Sequence, residues 1–298
     1  MLAYEDIKGP FLEALAADKR AQELLEMINA GTGTYSTASE YAARVGDCLA
    51  RVLREYAPTT DISEWDLENL IPQSLGLDHS IVVEVCQTVQ ETLYADAGLG
   101  IQYIEPKFDT SRAYGIVTEL QNNPEFVNIE NTFYDQIANF SQNVVDESIR
   151  SNASMLSRAG IESKVIRVAE HGACPWCIKQ QGTYNYEDVR GTGNDVWRRH
   201  ENCRCTIDFV TERNGARYTE RVNNQVRTQF TEPADQVRQQ QERTPQPSAN
   251  IRRLSDSERN LTSQQNDAMY QSALKMLEYQ RTHPGYQLPT WAAEVLGR

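Results

Sequence analysis

Apolar residues recur at helical spacing through the first half of the chain. Over residues 11–29, Leu12, Leu15, Leu24, Leu25 and Ile28 fall near one stripe, which predicts a helix. Gly31 to Thr34 interrupts that pattern. Thr37 with Glu40 then reads as a capping box, in which two side chains satisfy two orphan backbone donors at a helix start. Tyr41, Val45, Cys48, Leu49, Val52, Leu53 and Tyr56 mark the apolar face of the helix that follows. Asp78 reads as the cap of a further helix running to about Tyr94, with His79 beside the cap. Cys48 and Cys86 lie within these helices and read as core thiols rather than ligands.

Two more helices are predicted over 111–122 and about 127–158. Phe133, Ile137, Phe140, Val144 and Val145 form the buried face of the second, and Gly160 is its C′ residue. Lys164 to Ala169 alternates apolar and polar side chains with β-branched residues, as a short strand does. Thr206 to Val210 reads as a second strand. Asn214-Gly215 supplies a hairpin turn, and Arg217 to Thr219 would return as a third strand. The stretch 232–260 is rich in Gln, Pro and Ser and reads as linker or disordered. Helical pattern returns over 262–281, and an apolar-aromatic tail follows, a docking peptide or a segment that packs back on the body.

Composition narrows the class. At 40% hydrophobic and 24% charged, the chain is ordinary for a water-exposed globular protein, and no run of apolar residues is long enough to span a bilayer. The opening residues MLAYEDIKGPFLEALAADKR do not read as a signal peptide, so a reducing, cytosolic origin is expected. The net charge of −13 is uneven. Residues 1–160 carry net −15, residues 161–210 carry 0 and residues 211–298 carry +2. An acidic front repels phosphate, so any nucleic-acid contact is expected in the later half.

Candidate chemistry concentrates in one place. Cys174, Cys177, His200, Cys203 and Cys205 form a C-x2-C knuckle, a gap of twenty-two residues, and an H-x2-C-x-C return. Thiolates with one imidazole at this spacing suit a tetrahedral metal, with zinc the expected occupant. A Cys203–Cys205 disulfide would be strained. Cys174, Cys177 and His200 are the firmest ligands, with Cys203 and Cys205 as alternatives for the fourth and His171 as a weaker substitute. Four protein ligands close the coordination shell, which points to a structural rather than a catalytic ion. Such an ion contributes on the order of 10 kcal/mol to folding. Tyr and Val residues of 181–189 are expected to cover the site. Arg198, Arg199 and Arg204 bracket it, with Glu187, Asp188 and Glu201 as local partners and phosphate as the other candidate. No serine-hydrolase elbow, P-loop, zincin or dinucleotide motif is present, and a nuclease reading lacks an added base beyond His200 and Asn202.

The string CPWCIKQQGTYNYEDVRGTGNDVWRRHENCRCTI resembles the C-terminal module of tailed-bacteriophage minor head proteins, the Mu F-like head morphogenesis family. The matching positions are Cys174, Cys177, Gly182 to Tyr184, Arg198, Arg199, His200, Cys203, Arg204 and Cys205. The lead-in Val145 to Ala153 and Ala159 to Ile161 are also similar. The resemblance covers about 111–222. It implies a non-enzymatic minor capsid protein at the portal vertex of a phage head, made in the bacterial cytoplasm and incorporated in the virion. Its implied partner is the portal protein, with scaffold or major capsid protein as further partners. The alternative is a zinc-containing nuclease or DNA-binding protein that reaches phage DNA through Arg198, Arg199 and Arg204.

The expected fold class is α+β. A mainly helical N-terminal half (1–110) precedes a small zinc-stapled α+β module (111–222). A disordered linker (223–261) and a C-terminal helix with an apolar tail (262–298) make a flexible end.

Overall fold

The computed structural model describes residues 2–56, 64–123, 129–170, 172–191, 193–200, 203–211 and 222. Six helices come first: α1 (Tyr4–Ala17), α2 (Lys19–Asn29), α3 (Tyr35–Tyr56), α4 (Leu67–Asp96), α5 (Thr110–Asn122) and α6 (Glu130–Arg158). The second half of the fold is β1 (Ser163–Val168), α7 (Pro175–Lys179), β2 (Gly182–Asn185), α8 (Tyr186–Val189), a 3-10 turn (Asp195–Trp197) and β3 (Thr206–Thr211). The expected α+β class is therefore observed. The hairpin at 214–215, the third strand at 217–219, the linker and the C-terminal helix and tail lie outside the described residues. No helix among the described residues is long and apolar enough to cross a membrane.

The single helix expected over 11–29 is two helices. Asp18 takes an extended conformation between them, and its carboxylate accepts the Ala21 amide at 2.9 Å, capping α2. Arg44 of α3 pairs with the same carboxylate. The break turns Leu12 outward, where it is 41% exposed, while Leu15, Leu24 and Ile28 are buried. The capping box is displaced too. Thr37 lies inside α3, and the cap is Thr34, whose hydroxyl accepts the Ser36 amide at 3.2 Å. Thr37 reaches back to accept the Thr34 amide at 3.2 Å, and Glu40 instead pairs with Arg20.

Asp78 does not cap a helix. α4 begins eleven residues earlier at Leu67 and runs through Pro72 and Gly76, because Leu70, Ile71, Leu75 and Val82 all enter the core. Asp78 therefore sits mid-helix at 0% exposure, accepting a hydrogen bond from Ser141 of α6 at 2.7 Å. Burial pushes its carboxyl up to about 8. His79 is buried beside it, with its ring edge-on to Phe108 at 5.6 Å.

α3 and α6 are the central pair. They cross at Gly46, where an added Cβ would lie 2.5 Å from Ser141 Oγ and 2.7 Å from Ala138 Cα. Only a residue without a side chain permits that approach. After α4, an extended strap returns across α6, held by Asn152. The Asn152 amide accepts the Ile104 N–H and donates to the Ile104 carbonyl, each at 2.9 Å. Tyr94 donates to the same side chain at 3.1 Å.

Gly160 ends α6 with φ of +73°, as its position predicts. The sheet that follows has the order β2-β1-β3, antiparallel throughout. Val165 pairs with Tyr184 on one side and with Phe209 on the other. Among the described residues one hydrophobic cluster runs from Leu2 through α1–α6 to Phe209. The sheet is tied to α3 directly. Asp208 accepts the Ser36 amide at 3.1 Å, placing a carboxylate at the positive end of that helix. Phe209 packs on Tyr35 with ring centroids 5.4 Å apart.

Candidate metal centre

The knuckle is made by local hydrogen bonding. Cys174 is the N-cap of α7, and its sulfur accepts the Cys177 amide at 3.5 Å. Pro175 occupies the first turn, where its missing N–H costs nothing. The cap places Cys174 Sγ and Cys177 Sγ on the same side, and the amide bond holds the Cys174 thiol below its ordinary value. The return strand is set by the 3-10 turn. Asn194 caps it, and the Trp197 indole donates to the Val189 carbonyl at 2.7 Å. His200 follows two residues after the C-cap, and Asn139 of α6 donates to its carbonyl at 3.0 Å. The Cys203 amide donates to that carbonyl at 3.2 Å, and Cys203 and Cys205 lie back beside Cys177.

The five expected ligands fall in two groups that share Cys177. His200 Nε2 lies 3.2 Å from Cys174 Sγ and 2.9 Å from Cys177 Sγ. Cys177 Sγ lies 3.7 Å from Cys203 Sγ. The groups form two trios, Cys174–Cys177–His200 and Cys177–Cys203–Cys205, in each of which the ligand atoms lie within 4.8 Å of one another. Cys177 belongs to both. A tetrahedral ion with metal–sulfur bonds of about 2.3 Å separates neighbouring sulfurs by about 3.8 Å. The Cys177–Cys203 distance matches that edge. The sulfur–nitrogen pairs are closer, at the spacing of S–H···N hydrogen bonds, and would open by a few tenths of an ångström around an ion. The group can therefore hold a metal ion. His171 lies outside the described residues.

All six cysteines are free thiols, so no disulfide competes for these sulfurs. Cys48 and Cys86 are buried in the helical core, as expected. Cys203 is pulled down as a thiolate, first by a hydrogen bond from Cys205 and then by the Arg199 and Arg167 guanidiniums. Cys205, the donor of that bond, is pushed up, and burial pushes Cys177 up as well.

The cover differs from the one expected. Tyr186 and Val189 turn away into the main core, and Gly182 to Asn185 is a strand rather than a lid. Cys177, Cys203 and Cys205 instead pack with Ala169, and Ala173, Trp176 and Ile178 lie against them. The Trp176 ring stands edge-on to His200 at 5.8 Å.

The described partners of the three arginines are not Glu187 or Asp188, and Glu201 lies outside the described residues. Arg199 is buried in a bidentate pair with Asp146 of α6, at 2.6 and 2.8 Å, and also donates to the Cys205 carbonyl at 2.7 Å. Burial alone would drag its guanidinium down, and Asp146 more than offsets this, holding it above its ordinary value. Arg204 pairs with Asp47 of α3 at 2.6 Å. Arg198, 66% exposed, pairs with Asp195 at 3.1 Å. Arg198 and Arg204 thus keep a face to solvent, whereas Arg199 does not.

Sequence reasoning missed Arg167, Asp146, Asp47 and Asn139 as parts of the site. Arg167 had a readable signal. It falls in phase with Ser163 and Val165 on β1, so its side chain shares their buried face. The other three are polar residues on amphipathic helices, and nothing local separates them from solvent-facing neighbours. No protein-family model matches this chain, and neither the curated proteins nor the solved structures yield a match.

Proposed function

We propose that this chain is a structural minor head protein of a tailed phage or prophage, and that a zinc ion on Cys174, Cys177, His200 and one of Cys203 and Cys205 holds its docking module rigid. The observation that carries the reading is the ligand supply: two trios of soft ligands share Cys177, so more protein ligands lie near one another than the four a tetrahedral ion takes. A closed shell leaves no place for an activated water or a substrate, which favours structure over catalysis. The order of these ligands, with Arg198-Arg199 before the histidine and Arg204 between the last two cysteines, is what resembles the Mu F-like head proteins. The donor set of soft sulfur and imidazole suits zinc among the common divalent ions.

In this reading the protein sits at the portal vertex in few copies. It contacts the portal protein and assists head assembly, DNA packaging or DNA delivery. The test is quantitative mass spectrometry of purified heads assembled from the genome that encodes this chain. The expected result is peptides of this chain in every DNA-filled head, at an abundance near that of the portal. Their absence from heads, together with metal-dependent plasmid cleavage lost in His200→Ala, would replace the reading with that of a nuclease.

A further inference from the structure

Arg167 is a buried cation without a carboxylate. Its side chain is 1% exposed, and among the described residues no acidic group lies within salt-bridge distance of it. One terminal nitrogen donates to the Val196 carbonyl. The other points between two sulfurs, 3.9 Å from Cys177 Sγ and 3.8 Å from Cys203 Sγ. The Trp176 ring lies 5.5 Å from the guanidinium carbon, and Nε has no partner. A guanidinium stays protonated in proteins, and a buried charge without a counter-charge costs several kcal/mol. The neighbouring cation, Arg199, is already neutralised by Asp146. One positive charge is therefore left over in this pocket, and the groups that face it are sulfur atoms.

We infer that Arg167 is the counter-ion of the metal centre, and that the centre is a divalent ion on Cys174, Cys177, Cys203 and His200, with Cys205 outside the ligand shell. This rests on the metal-centre reading above and extends it to the fourth ligand and the charge. A divalent ion with three thiolates and one neutral imidazole carries −1, which one guanidinium balances. Four thiolates would carry −2 and leave one charge unmatched, whereas two thiolates with two neutral ligands would carry none and leave Arg167 alone. The guanidinium touches Cys177, the sulfur common to both trios, and Cys203, a sulfur of the second trio, so it favours Cys203 over Cys205 as the fourth ligand. Hydrogen bonds and charge supplied from outside the ligand shell ordinarily set metal affinity by about 10–100-fold.

The experiment uses the full-length chain loaded with zinc, with affinity read by chelator competition and thiolate number read from the charge-transfer band after cobalt(II) substitution. Arg167→Gln, which keeps hydrogen-bond donors but no charge, is expected to weaken zinc binding by about 10–100-fold. Arg167→Lys, which keeps the charge, is expected to stay within a few-fold of the parent. Cys205→Ser is expected to retain zinc and a three-thiolate cobalt spectrum, while Cys203→Ser loses one thiolate from it. Equal affinity for parent and Arg167→Gln, or equal losses in Gln and Lys variants, would overturn the counter-ion role. A spectrum that loses a thiolate in Cys205→Ser but not in Cys203→Ser would overturn the ligand assignment. A parent chain that takes up neither zinc nor cobalt would instead sink the metal reading itself.

Discussion

Replacing Asp146 with Asn removes the counter-charge of a guanidinium that has no route to water. Asp146 and Arg199 expose 1% and 4% of their side chains, and two charge-assisted hydrogen bonds of 2.6 and 2.8 Å join them. The intact pair contributes little net stability, because its attraction mostly offsets the desolvation of two ions. Breaking it from one side is different: the Arg199 charge stays buried and unpaired, at a cost of about 3–5 kcal/mol. The third guanidinium bond, to the Cys205 carbonyl at 2.7 Å, survives in Asp146→Asn. It is lost in the double variant Asp146→Leu/Arg199→Met, which removes both charges but orphans that carbonyl at about 1–3 kcal/mol. The double variant should therefore be more stable than Asp146→Asn alone. The assay is urea unfolding of zinc-loaded protein at neutral pH, followed by tryptophan fluorescence, since Trp197 and Trp176 lie in the same module. A loss below about 1 kcal/mol in Asp146→Asn, or a double variant no better than the single, would refute the reasoning that this pair bolts the metal segment onto α6.

Three further outcomes are expected. Gly46→Ala places a methyl group 2.5 Å from Ser141 Oγ and 2.7 Å from Ala138 Cα, so α3 and α6 must separate; thermal or urea unfolding should show a loss of about 1–3 kcal/mol. Asp78 has its carboxyl raised by burial from 3.8 to about 8, so the folded state binds the extra proton and stability falls as pH rises through that window, levelling off above it. Asp78→Asn should abolish that component of the pH dependence and exceed the parent in stability at about pH 9, with the difference closing toward about pH 4, in unfolding curves taken across the range. Asn152→Ala removes both bonds to Ile104 and the acceptor for Tyr94, and amide exchange should quicken at Ile104 well before the helices unfold.

The parts legible in the sequence were those with a local signature. α5, α6 and the C′ glycine Gly160 follow from periodicity and chain reversal, and β1 and β3 follow from alternation of β-branched residues. The Cys/His cluster, which could hold a metal ion, was readable because C-x2-C and H-x2-C-x-C each bunch soft donors within a few residues of chain. What escaped depended on partners remote in sequence. The break at Asp18 is secured by Arg44, and α4 continues through Pro72 because its apolar face is buried on α3 and α6. Asp78 reads as a cap because Asp is favoured at helix N-termini; only Ser141, sixty-three positions away, gives it a place inside. β2 is four residues long with alternate burial, too short to separate from a loop without β1 beside it. The same holds for the electrostatics of the metal centre. Arg199 has acids nearby in sequence, yet its described partner is Asp146 of α6, fifty-three positions away.

Metal content of the purified full-length chain tests the central claim most directly, measured by mass spectrometry beside Cys174→Ser and His200→Ala. The account predicts one zinc per parent chain, loss of that zinc in both variants, and a lower unfolding midpoint in each. Full metal content with unchanged melting in the two variants, or a parent chain free of metal that folds unchanged in strong chelator, would contradict it.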